Sequence, residues 1–128
     1  MAAPVVNKTI DVVAKYQAEV NAAPNNAEAQ TGLGWAFYGK RQYSEAARAF
    51  EAALAIDPNH LEARYGLALT YKASGARTNA ITEFERVAAL TEKIEDPVRQ
   101  SMLHRHVKGH INLINTGDWN LGKKLGHA

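Results

Sequence analysis

The sequence predicts an all-α fold, an array of helical hairpins stacked into one solenoid. Three observations carry this reading. Two windows, residues 27–60 and 61–94, repeat each other's pattern at an offset of 34. Each window holds two helix-length segments split by a short turn. The composition is 46% hydrophobic and 22% charged with no cysteine, so a soluble, Ala-rich, helix-leaning chain has to be held by packing rather than by disulfides. Its 128 residues suit a single domain spanning 1–128 with a real core.

The elements follow in chain order. In residues 5–24, Val6, Ile10, Val13 and Val20 recur at helical spacing. Together with Tyr16 and Pro24, they read as the second helix of a hairpin whose first helix is missing. In 27–60, Asn25 is placed to cap the first helix, with Glu28 three residues on at capping-box spacing. Ser44 is placed to cap the second helix. In 61–94, Asn59 and Glu62 repeat the first arrangement. Across the two windows Glu28 aligns with Glu62, Gly32 with Gly66, Leu33 with Leu67, Phe37 with Tyr71, Ala46 with Ala80 and Phe50 with Phe84. Phe50 and Phe84 each follow an alanine by four, on one helix face, and are the expected core aromatics. In 97–126, Pro97 opens a long helix through about Asn115. Gly117 lies 42 residues after Gly75, so this third unit carries extra residues. Asp118 is placed to cap a last short helix through Leu125.

The first window resembles a tetratricopeptide repeat (TPR). The resemblance rests on Leu33-Gly34, Phe37, Ala46, Phe50 and the closing Pro58, and on the runs Tyr43 to Ala46 and Ala53 to Asn59. The second window keeps Leu67, Ala68, Tyr71, Gly75, Ala80 and Phe84. Departures are Gln30 in the opening Trp slot, Arg41 where the inter-helix glycine is common, and Glu92 in place of the closing proline. The resemblance implies a right-handed helical-hairpin solenoid of about two full repeats, 27–60 and 61–94, flanked by partial repeats at 5–24 and 97–126.

The resemblance also implies a function. Such arrays bind a peptide or helix of a partner protein in a concave groove lined by the first helix of each repeat. Carried over, the first repeat shows Glu28, Thr31, Trp35 and Tyr38 to the groove. The second shows Glu62, Tyr65, Leu69 and Lys72, and the third Lys108 and Ile111. Gly32, Gly39 and Gly66 are expected to leave room for a ligand. Trp35, Tyr38, Tyr65 and Leu69 form an aromatic and apolar strip of the types enriched at binding hot spots. The strip suits an amphipathic helix or an extended apolar peptide better than a C-terminal carboxylate.

Other classes are weighed against this adaptor or scaffold reading. No nucleophile–base pair and no Gly-rich phosphate loop is present, so no enzyme activity and no cofactor is expected. His106 and His110 stand one helical turn apart, a spacing that can chelate zinc or copper, but Arg105 and Lys108 oppose a cation there. Residues 1–96 carry net charge −2 and residues 97–128 net +4. An acidic main body argues against nucleic acid. The asymmetry, with incomplete repeats at both ends, leaves a homo-oligomer open. No apolar stretch suits membrane insertion, and no basic region precedes an apolar run at the N-terminus, so a cytoplasmic location is expected.

Overall fold

The computed structural model describes residues 11–117. The expectations at Val6 and Ile10, and at Asp118 and the helix through Leu125, lie outside these residues. Six helices are described: α1 (Val12–Ala22), α2 (Ala27–Gly39), α3 (Tyr43–Ile56), α4 (Leu61–Ser74), α5 (Arg77–Thr91) and α6 (Pro97–Thr116). Each packs on its neighbour in sequence, and α2 also lies against α4. The result is an all-α helical-hairpin solenoid, as the 34-residue period predicts. α2 with α3, and α4 with α5, make the two full hairpins.

The helix starts differ from the expected ones by small shifts with clear causes. Asn26, not Asn25, caps α2: its Oδ1 accepts from the N–H of Glu28 at 2.9 Å and of Ala29 at 3.2 Å. His60, not Asn59, caps α4, with Nδ1 accepting from the Ala63 N–H at 3.2 Å. Neither glutamate is then three residues past its cap, so no capping box closes. Both carboxylates still sit in the first turn, where the helix dipole favours them. Because Nδ1 of His60 accepts, its proton resides on Nε2, which points at Glu28 Oε2 3.5 Å away. Ser44 lies inside α3, whose N-cap is Gln42 with no side-chain cap bond. Asp96 caps α6 ahead of Pro97, as a proline-opened helix requires.

Helix ends show the repeat with one substitution. Gly75 closes α4 at φ 88° and Gly117 closes α6 at φ 79°. The same place after α2 is held by Arg41 at φ 61°, a left-handed conformation that costs a side chain about 1 kcal/mol or more.

The core falls into two clusters. The first is built on Ala46, Phe50, Ala53, Leu54, Ala63 and Leu67. The second is built on Ala68, Ala80, Phe84, Val87 and Val107. Phe50 and Phe84 are fully buried, the expected core aromatics. The Phe50 ring is clamped between α2 and α4. A Cβ placed at Gly34 would stand 2.7 Å from it, and one at Gly66 only 2.4 Å. Tyr16, 34 residues before Phe50, does the same from α1: a Cβ at Gly32 would stand 2.4 Å from its ring. So Gly32 and Gly66 do not hold space for a ligand. They seat the aromatic of the preceding second helix, and only Gly39 of the three faces open space. A buried carboxylate, Glu83, ties α5 to α4 by accepting from Arg64 at 3.1 Å, and also accepts from Arg86 at 2.7 Å. Two guanidinium partners supply the compensation a buried charge demands.

Candidate functional site

The groove is the face shared by α2, α4 and α6. Its floor begins at Trp35, which is half-buried. The indole packs edge-on against Phe50, with centroids 5.1 Å apart, and against Tyr38 at 5.7 Å. Its Nε1–H donates to Glu62 Oε2 of α4 at 3.0 Å. Trp35 is therefore held by its own repeat and by the next, and it contributes to the first core cluster as well as to the surface. Tyr38 is also half-buried, against Trp35 and Tyr43. Burial, and secondarily Tyr43, raises its phenol pKa, so the ring offers a neutral hydroxyl.

The groove continues on α4 into a polar cluster. Tyr65 packs edge-on against Phe84, at 6.1 Å between centroids, and meets His106 and His110 of α6 at 6.1 and 5.9 Å. His110 lies flat on Phe84, with centroids 4.7 Å apart and planes 7° from parallel. Its Nδ1 is 3.0 Å from Lys72 Nζ and its Nε2 is 3.1 Å from Tyr65 Oη. An ammonium can only donate, so Nδ1 accepts from Lys72. Nε2 then carries the ring proton and donates to Tyr65. That leaves the Tyr65 hydroxyl proton to be offered toward the groove. Burial first, then the charge of Lys72 and then His106, push the His110 pKa down to about 4. Burial likewise lowers the pKa of Lys72.

The other expected groove residues divide. Glu28 and Glu62 are exposed along one edge. Leu69 and Ile111 are half-buried and pack against the second core cluster, showing only part of their surface. Thr31 is buried, its hydroxyl donating to the Ala27 carbonyl at 2.8 Å. Lys108 does not face Tyr65 and Lys72. It lines a separate cleft with Thr91, Glu92 and His104, between the end of α5 and α6. The place opposite Lys72 belongs to His110, because α6 carries its additional residues at its N-terminal half and shifts the register that the glycine spacing implied.

His106 and His110 are thus groove-wall residues, and sequence reasoning found them only as a metal pair. Their rings meet edge-on at 5.1 Å. Both nitrogens of His110 are engaged by Tyr65 and Lys72, a poor start for a ligand. Among the described residues no group of three or more His, Cys, Asp or Glu side chains could hold a metal ion. Also among the described residues, no helix is long and apolar enough to cross a membrane.

Comparison with known proteins agrees with this geometry. Two family profiles, both described as tetratricopeptide repeat, match residues 37–101 and 13–60. The second match takes in α1, α2 and α3, so it includes the helix before the first full hairpin. A search of curated proteins finds no match to this chain. Tetratricopeptide repeats are in general protein-interaction modules rather than catalysts. With just over half of the chain in one match, and the hairpins, glycine seats and buried aromatics in place, the chain belongs to the tetratricopeptide repeat family.

Proposed function

We propose that this chain is an adaptor or scaffold that binds a helix or peptide of a partner protein in the groove of α2, α4 and α6. The observation that supports this best is the aromatic strip Trp35, Tyr38 and Tyr65. All three rings are partly exposed yet fixed in place, by Phe50 and Glu62 on one side and by Phe84 and His110 on the other. Rigid, half-exposed aromatics lose little entropy on binding and bury much area, which is how hot spots work. The strip is bordered by Glu28 and Glu62 at one end and Lys72 at the other. A partner helix with an apolar face and a basic flank toward Glu28 fits this layout. Lys72 already donates to His110, which disfavours a clamp for a terminal carboxylate.

The test is a pair of photo-crosslinking variants in the native host. One carries the probe at Tyr38 in the groove, the other at Glu45 on the exposed face of α3. A partner captured from position 38 and not from 45 is then titrated against Tyr38→Ala and Glu45→Ala. The groove reading expects Tyr38→Ala to weaken binding about 10-fold or more, and Glu45→Ala to leave it unchanged. Equal binding by both variants would remove the groove as the site.

A further inference from the structure

The two terminal helices carry most of the exposed apolar surface. Among the described residues the exposed large hydrophobics are Val12, Ile56, Val98 and Met102. Three of these four lie on α1 and α6.

On α1 the exposure has a structural meaning. Val12 occupies the repeat position of Ala46 in α3 and Ala80 in α5, both fully buried under the first helix of their own hairpin. Glu19 occupies the position of Ala53 and Val87, again buried. In α1 no residue is buried, and Val12 is 45% exposed. The face formed by Val12, Tyr16 and Glu19 is therefore a second-helix face, and among the described residues no first helix covers it. A cleft of about 490 Å³ marks the seat, between α1 and α2 and reaching Glu62. Its lining includes the carboxylates of Glu19, Glu28 and Glu62 and no lysine or arginine.

α6 has the complementary character. It stands in the order of first helices, after α2 and α4. It carries Arg99, Arg105 and Lys108 and no acidic residue along its length. Val98 and Met102, one turn apart, are 67% and 61% exposed, and Arg99 and Arg105 are exposed beside them.

We infer that the seat beside α1 receives the N-terminal half of α6 from a second copy of this chain. Val98 and Met102 cover Val12 and Tyr16, while Arg99 and Arg105 meet Glu19, Glu28 and Glu62. Each α6 then supplies the first helix, and the next copy's α1 the second, of one composite hairpin. The contact is head-to-tail, so it propagates from copy to copy instead of closing as a two-fold pair. It also joins the grooves of successive copies, because the acidic seat is continuous with Trp35 and Glu62. This goes beyond the adaptor reading and does not depend on it.

The experiment is sedimentation velocity of the full chain over about three decades of concentration, with Val12→Glu and Met102→Glu alone and mixed. Both side chains are exposed, so both variants fold, and circular dichroism checks this. Wild-type mass is expected to rise with concentration, and to rise less at high salt as the Arg–Glu contacts are screened. Each variant alone is expected to stay monomeric, associating about 10-fold or more weakly than wild type. Their equimolar mixture is expected to form a one-to-one dimer that grows no further, since one variant keeps an intact α6 and the other an intact α1 seat. A wild type that stays monomeric throughout overturns the inference. So does a mixture that fails to pair, and so does dimerisation by either variant alone.

Discussion

The two full hairpins solve the same packing problem with different chemistry. In the first, Phe50 lies between Gly34 and Gly66, and the close approach of α2 to α4 is a matter of shape alone. In the second, Phe84 occupies the equivalent place, but its neighbours are Ala68 and the flat ring of His110. A glycine seat gives a tight, inert junction. A histidine seat brings Tyr65 and Lys72 into a hydrogen-bonded group at the groove, so the second junction responds to pH where the first does not. One fold position thus yields a purely structural joint in one repeat and a polar, surface-facing joint in the next.

Truncating the two phenylalanines should give the largest effects. Phe50→Ala and Phe84→Ala are each expected to cost about 3–5 kcal/mol in urea denaturation. Phe50→Ala belongs at the upper end, because glycines on both sides have no side chain to move into the cavity. Phe84→Ala belongs at the lower end, because His110 can shift toward the space. Equal losses would mean that the glycine seats do not govern how the site relaxes.

Filling a seat tests the same contrast from the other direction. Gly66→Ala puts a methyl group into the Phe50 ring, which is fully buried and cannot swing aside. The overpacking cost of about 1–3 kcal/mol should exceed the roughly 1 kcal/mol of helix propensity gained. Gly39→Ala meets nothing within 4 Å and should be neutral or stabilising. A Gly66→Ala protein as stable as Gly39→Ala would show that Phe50 is not clamped.

The histidine seat should show itself as a pH dependence. His110 has its pKa lowered from the usual 6.5 to about 4 in the folded chain. Between these values the unfolded state binds more protons than the folded one. Stability is therefore fully present above pH 6.5, falls as the pH drops toward about 4, and loses nothing further from this group below that. The expected loss is on the order of 1–2 kcal/mol. Carboxylates titrate in the lower part of the same range, so the measurement is the difference between wild type and His110→Phe, which keeps the stack on Phe84 and cannot titrate. Parallel pH profiles for the two proteins would show that His110 is protonated as easily folded as unfolded.

The repeat made part of this contrast legible and hid the rest. A 34-residue period places Phe50 and Phe84 at one position, and that alone marks both as core. The same alignment pairs Gly32 with Gly66, but it is silent on what touches them, so space for a ligand and a seat for Tyr16 or Phe50 look alike. Thr31 aligns with Tyr65 and shares its expected exposure. It is nonetheless buried, since its hydroxyl turns back onto its own helix. His110 escaped because α6 is 20 residues long against 14 for α4, and no fixed offset carries a register across that change. The caps were misplaced by one residue because adjacent asparagines, Asn25 and Asn26, offer the same chemistry. At Asn59 and His60, a ring nitrogen did the work of the amide oxygen.

The smallest expected effect concerns the turn that closes the first helix of each hairpin. Gly75 and Arg41 stand 34 residues apart in the sequence, and both have positive φ. Glycine adopts that conformation without a Cβ clash, whereas arginine bears about 1 kcal/mol or more of strain. Arg41 is exposed, so its side chain adds little packing to offset this. Replacing it by glycine removes the strain but adds backbone freedom to the unfolded chain, which returns part of the gain. The net result for Arg41→Gly should be a stabilisation of about 0.5–1 kcal/mol, read as a raised urea midpoint with an unchanged slope. Gly75→Ala should move the midpoint the opposite way by about 1 kcal/mol. If Arg41→Gly instead lowers the midpoint, the arginine side chain holds the turn through contacts that outweigh its backbone strain, and the first hairpin's turn is stabilised differently from the second.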